Sequence, residues 1–252
     1  MADREFKAVV IDLYDTLVDW EPASLPVLQW RGREVRSTAP LLFPVLEAEL
    51  GERFDRTAFM EAHDAVYLEI FNERAADTPA ETTCHERMLR TLKRTGLEHG
   101  HAHALADRLR GIHMGRIREV TKAPARRVEA MKKIAGRYRV GLISNFDDGE
   151  TGHQIVRDTG IHSLFEDVII SADTGLRKPH PLIFQRILDS MRLKPTDVLY
   201  VGDTPRDDVL GSKRAGMYSA WIRRKDRELP EGIPAPDFII GDLAELPEKI
   251  GL

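Results

Sequence analysis

Val9, Val10 and Ile11 form an unbroken β-branched run that ends in Asp12. A run without polar alternation suits a strand covered on both faces, the situation of a parallel sheet. In open α/β sheets, ligands sit beyond the carboxyl ends of the strands. A carboxylate at that edge can serve as ligand, base or nucleophile.

The pattern recurs far downstream. Val140–Ile143 runs into Ser144 and Asn145, Val168–Ile170 follows, and Val198–Val201 runs into Gly202 and Asp203. Ala220–Ile222 and Phe238–Ile240 are two shorter runs. Between them lie helical spacings. Val128, Met131 and Ile134 follow Pro124, and Ile155 and Val156 precede Gly160. Ile183, Ile187 and Met191 are four apart, and Val209 and Leu210 precede Gly216. Strands alternating with helices predict an α/β fold with a Rossmann-like parallel sheet. Residues 20–122 break the alternation. Apolar residues there keep helical spacing (Leu42, Val45 and Leu46; Phe59, Val66, Ile70 and Phe71; Leu89, Leu92 and Leu97; Leu105, Leu109 and Ile112), punctuated at Gly51, Thr78-Pro79 and Gly96. The expected organisation is an α/β core of 1–19 and 123–252 with a mostly helical insertion of 20–122.

The chain has 252 residues, 42% of them hydrophobic, enough for a sizeable core. Its net charge of −4 provides no overall basic field for nucleic acid, and no aromatic residues interleave with a basic stripe. Cys84 is the sole cysteine, which rules out an intrachain disulfide or a cysteine metal cluster and suits a reducing cytoplasm. The N-terminus is charged rather than signal-like, and no apolar run approaches the ~20 residues of a membrane span. The expected partner is a small molecule, with neither nucleic acid nor membrane involved; oligomeric state is not legible.

Parallel strands share one carboxyl edge, so Asp12, Ser144 and Asp203 can converge there. Two adjacent carboxylates repel, and one takes up a proton unless a cation lies between them. Hard oxygen ligands with room for water and phosphate suit magnesium. Lys178, in Arg177-Lys178-Pro179, follows the third strand and would hold Asp12 ionised, and Pro179 and Pro181 open the next helix. Such a set suits in-line attack by a carboxylate on phosphorus, with Ser144 and the Asn145 amide hydrogen-bonding the phosphoryl group.

These residues resemble the haloacid dehalogenase superfamily of hydrolases. Asp12-Leu13-Tyr14-Asp15-Thr16-Leu17 is similar to its nucleophile loop, Ile143-Ser144-Asn145 to its second motif, Lys178-Pro179 to its lysine motif, and Gly202-Asp203-Thr204-Pro205-Arg206-Asp207-Asp208 to its acidic motif. The resemblance implies Asp12 as nucleophile, and a metal held by Asp12, the Tyr14 carbonyl and Asp203 with Asp208 in support. It also implies a phosphatase passing through an aspartyl phosphate, with Tyr14 and Thr16 near the substrate. The insertion would be a helical cap that excludes water.

Phosphatases of this superfamily carry a second aspartate where this chain has Tyr14, and a tyrosine with a pKa near ~10 is a poor proton donor at neutral pH. The halide-displacing members have tyrosine there. They lack the first acid of the last motif, however, which this chain keeps as Asp203. The metal end weighs more, because clustered carboxylates have little purpose without a cation. The expectation is a magnesium phosphatase, with a 2-haloacid dehalogenase or a catalytically weak binding protein as alternatives. Arg31, Arg33 and Arg36 stand where a dehalogenase cap arginine would. Blander readings accompany the rest. Ser144 could cap the next helix, and Asp207 suits a helix start. Trp20 and Trp30 would pack the insertion, His99, His101 and His103 would lie in a solvated turn, and Arg223-Arg224-Lys225 would be a solvated loop.

Overall fold

The computed structural model describes residues 6–75, 80–97, 101–224 and 227–252. It contains two compact units, Met1–Asp19 with Lys122–Leu252, and Trp20–Thr121. Thr78-Pro79, His99 and Lys225 lie outside the described residues.

The first unit is built on a six-stranded parallel sheet. Its strands are β1 (Ala8–Ile11), β2 (Arg139–Ser144), β3 (Phe165–Ile170), β4 (Val198–Gly202), β5 (Tyr218–Ile222) and β6 (Phe238–Ile240), in spatial order β6-β5-β4-β1-β2-β3. β1 lies between β4 and β2, with Ile11 level with Val201 on one side and Leu142 on the other. The order reverses at β1, and that switch point opens a crevice at the carboxyl edge.

The β-branched run becomes a buried strand because both faces of β1 are covered. Val9 and Ile11 pack with Met131, Ile134, Ile155 and Val156, whereas Ala8 and Val10 pack with Ile183, Phe184, Ile187 and Met191. These side chains come from helices Ala125–Ala135, Gly149–Asp158 and Pro181–Met191. Ile11 has no exposed surface, so Ile11→Ala costs about 2–5 kcal/mol. The helix after β2 is capped by Asp148, which accepts from Thr151 N at 3.0 Å, so Ser144 is not its cap. Pro205–Leu210 is a π-helix, one residue wider per turn than an α-helix, and Gly211–Arg214 continues it as an α-helix.

The second unit has helices Ala39–Leu50, Arg56–Ala75, Cys84–Arg94 and His101–Glu119. It also has an antiparallel hairpin, Val27–Trp30 with Arg33–Arg36, which the helical reading of 20–122 overlooks. Its strands are only four residues long, and the second, Arg33-Glu34-Val35-Arg36, is mostly charged, so they lack the long β-branched signature. The turn uses Arg31 and Gly32 at φ 49° and 73°, the geometry of a two-residue hairpin. Arg36 donates to Ala23 O and Leu25 O, which makes it a structural brace, while Arg31 lies 3.8 Å from Asp64. Trp30 Nε1 donates to Asp64, but Trp20 is 45% exposed and does not pack as expected. Phe71 is 60% exposed. His101 and His103 open a helix rather than lying in a turn.

Inside this unit a polar cluster is buried. Arg87 Nη2 lies 3.2 Å from His113 Nε2, which must accept, so His113 Nδ1 carries the proton toward Thr38 Oγ1 at 2.6 Å. Burial and the Arg87 charge push His113 down to about 3 and His63 down to about 4.

Candidate active site

The sheet brings the carboxyl ends of β1 and β4 together. Asp12 N donates to Val201 O at 2.9 Å, extending the ladder one residue past β1 and setting Asp12 beside Gly202 and Asp203. Trp221 Nε1 donates to Asp203 O at 3.0 Å and fixes the backbone there. Carboxylate oxygens of Asp12, Asp203 and Asp208 lie within 4.8 Å of one another, and all three residues are buried.

Asp208 reaches this place because residue 202 has no side chain. A Cβ on Gly202 would fall 2.2 Å from Asp208 Cγ, closer than any packing allows. Asp208 Oδ2 accepts from Thr204 N at 2.8 Å, which closes the loop over the wide turn.

Lys178 faces the carboxylates and is 2% exposed. Its Nζ donates to Asp12 Oδ1 at 2.7 Å, to Asp208 Oδ1 at 2.7 Å and to the Tyr200 hydroxyl at 2.9 Å. All three ammonium protons therefore have acceptors. Asn145 holds the lysine from behind: its Oδ1 accepts from Lys178 N at 2.8 Å, and its Nδ2 donates to Lys178 O at 3.0 Å and Asp207 Oδ2 at 3.1 Å. The expectation that the Asn145 amide hydrogen-bonds substrate is corrected accordingly, since both its protons are engaged within the protein.

The electrostatics follow from burial. Burial pushes Asp12 up to about 7, with Asp208 and Asp203 adding to the rise and Lys178 opposing it. Without a metal, desolvation of the carboxylate outweighs the lysine. Asp203 is pushed up to about 6 by burial, Asp208 and Asp15. Asp207 is raised by burial and by Asp208. For Lys178, burial works downward, but Asp12 and Asp208 outweigh it and raise the ammonium well above its ordinary value.

A cavity of about 310 Å³ opens over this cluster, lined by Asp12, Tyr14, Asp15, Ser144, Asn145, Arg177, Lys178, Asp203, Thr204, Asp207, Asp208 and Arg227. It gathers every sequence-predicted site residue except Thr16. Thr16 is fully buried and donates to Asp12 Oδ2 at 3.3 Å, so it orients the carboxylate instead of touching substrate. The Tyr14 ring stacks on Phe146, with centroids 5.4 Å apart. Sequence reasoning misses Tyr200, whose hydroxyl contacts Lys178. Its signal is a lone phenol in an otherwise aliphatic strand. It also misses Arg224, read as solvated but paired with Asp15.

The description "haloacid dehalogenase-like hydrolase" matches residues 6–216. The chain belongs to the haloacid dehalogenase-like hydrolases. The chain is similar to the pyrimidine 5'-nucleotidase YjjG of Escherichia coli (strain K12), 33% identical over 166 residues that span 61% of this chain and 71% of the other. It is also similar to a glyceraldehyde 3-phosphate phosphatase of Pyrococcus furiosus, 27% identical over 251 residues, 98% of this chain and 94% of the other. Among solved structures, a 2-haloacid dehalogenase from Pseudomonas syringae pv. Tomato DC3000 shares the fold at a TM-score of 0.67 and 22% identity, covering 96% of this chain and 97% of its own. The chain is thus a hydrolase of this family. Among the described residues no helix is long and apolar enough to cross a membrane.

Proposed function

We propose that this hydrolase is a magnesium-dependent phosphatase of the cytoplasm, acting on a small phosphorylated metabolite with Asp12 as nucleophile. The observation that carries the reading is the trio of buried carboxylates around Lys178. Once all three are ionised, their charges against one ammonium leave two, the charge of one divalent cation, and such an ion would offset the repulsion that helps raise Asp12 and Asp203. An all-oxygen donor set suits a hard ion such as magnesium. Asp12, Asp203 and the Tyr14 carbonyl would hold it, with Asp208 in support. When bound, it would draw charge from the phosphoryl oxygens.

The chain's own residues then do the following. An Asp12 oxygen attacks phosphorus, and the bond from phosphorus to the leaving oxygen breaks. Lys178 balances the charge on the phosphoryl oxygens, and the Ser144 hydroxyl donates to them. Water next attacks the phosphorus of the aspartyl phosphate, releasing phosphate and restoring the Asp12 carboxylate. Asn145 and Thr16 act as positioning residues, on Lys178 and Asp12 respectively. Residues 20–122 are assigned the role of the cap that selects substrate.

Tyr14 refines the substrate class. Its ring is turned onto Phe146 and supplies no acid of suitable strength. Substrates with good leaving groups, such as acyl phosphates and phosphoanhydrides, need little protonation and suit this site. The phosphatase name carried by the Pyrococcus furiosus relative, which matches 98% of this chain, supports a phosphorylated metabolite. Tyr14 is also the observation that favours the second reading, displacement of halide from a 2-haloacid by Asp12.

One assay separates the two readings. Phosphate release from acetyl phosphate and from an alkyl phosphate, and halide release from 2-haloacids, are measured with magnesium and with chelator. Magnesium-dependent phosphate release, faster on acetyl phosphate, is expected. Halide release that persists in chelator, without phosphate release, would overturn the proposal.

A further inference from the structure

Asp15 is one of three described non-glycine residues with positive φ, at 60°, and it follows Tyr14, whose carbonyl is proposed above as a metal ligand. Its backbone N–H donates to Val18 O at 2.6 Å. In a trans peptide the carbonyl points opposite to the N–H, so this bond aims the Tyr14 carbonyl away from Val18. The direction of that carbonyl therefore depends on Asp15 staying in the left-handed region, which an aspartate tolerates but does not favour.

The Asp15 side chain is held from outside the loop. Arg224 Nη2 pairs with Asp15 Oδ1, and Arg224 Nε lies 3.7 Å from Asp203 Oδ2. The main chain at Arg224 is held, since Arg223 N donates to Ile240 O at 2.8 Å and Arg227 N to Arg224 O at 3.2 Å. One guanidinium on the sheet's edge thus spans the nucleophile loop and the acidic loop.

We propose that Arg224 is a positioning residue for the metal: by pairing with Asp15 it fixes the backbone turn that aims the Tyr14 carbonyl, and so tightens magnesium binding. The inference rests on the metal site proposed above. Arg224 has a second effect of opposite sign, because a cation 3.7 Å from Asp203 repels an ion bound there. That contact is longer than a hydrogen bond, and Coulomb repulsion at that range is weaker than a direct contact. The pairing with Asp15 is a direct charge-assisted hydrogen bond, and its effect on the loop prevails.

The opposed signs make the test decisive. Magnesium binding to the full chain is measured by calorimetry without substrate, so catalytic steps do not enter. R224A is expected to weaken binding by about tenfold, the lower range for a residue that orients a ligand. D15G should bind within about twofold of wild type, because glycine adopts positive φ without restraint. Arg224→Ala in the D15G background should cause no further weakening. Equal or tighter binding by R224A overturns the proposal, as does a full tenfold loss on adding R224A to D15G. If R224A does not fold, D15N decides: it keeps the size and removes the charge, and it should weaken binding where D15G does not. Wild type that binds no magnesium would instead refute the metal site itself.

Discussion

Replacing the proposed nucleophile should stabilise the metal-free protein while abolishing its chemistry. Asp12 is raised from 3.8 to about 7 by burial, assisted by Asp208 and Asp203. Between those values the folded chain holds a proton on Asp12 that the unfolded chain has released. Stability therefore falls as pH rises through this window, and is fully retained only below 3.8. At about 1.4 kcal/mol per pH unit the loss is about 4 kcal/mol by pH 8. Asparagine resembles the protonated acid in size and charge, and its carbonyl oxygen still accepts from Lys178. D12N should be more stable than wild type by about 4 kcal/mol at pH 8 in chelator, with the gap closing near pH 4. Urea unfolding at both pH values, read by circular dichroism, measures it. D12N equal to or less stable than wild type at pH 8 would refute the reasoning, because Lys178 would then compensate the buried carboxylate fully. Turnover of D12N should be undetectable in either case.

Two further outcomes follow from the same geometry. Y14D supplies the missing acid and should raise turnover of alkyl phosphates by about 10²-fold, the lower range for general acid catalysis, while changing acetyl phosphate little; an unchanged alkyl rate counts against the missing-acid argument. Y200F removes one acceptor from the Lys178 ammonium and should cost about 1–3 kcal/mol of stability by denaturant titration, and a loss below the error of that titration would show that water replaces the hydroxyl.

The sheet and the site's outline were legible because each depends on local signals. β-branched runs gave the strands, and the residue after each run gave the edge at which Asp12, Ser144 and Asp203 meet. What was not legible depends on partners distant in sequence. Asn145 reads as a substrate contact until Lys178 and Asp207 are seen to use both its amide protons. Arg224 reads as one charge in a basic run, and only the fold sets it against a loop about two hundred residues earlier. The hairpin at 27–36 escaped for another reason, since its four-residue strands are too short for periodicity to register. The rise in the Asp12 pKa in the absence of a metal was not legible because a sequence shows the nearby lysine but not the loss of solvent.

The π-helical turn at Pro205–Leu210 carries a consequence for how this site could change over evolutionary time. Adjacent residues on an ordinary helix diverge by about 100°, yet Asp207 reaches Asn145 while Asp208 reaches Lys178, both on one cavity. The surplus residue in the turn narrows that divergence. Deleting a single codon here would tighten the coil and swing one of the two acids outward, a change that no substitution at Arg206 would reproduce.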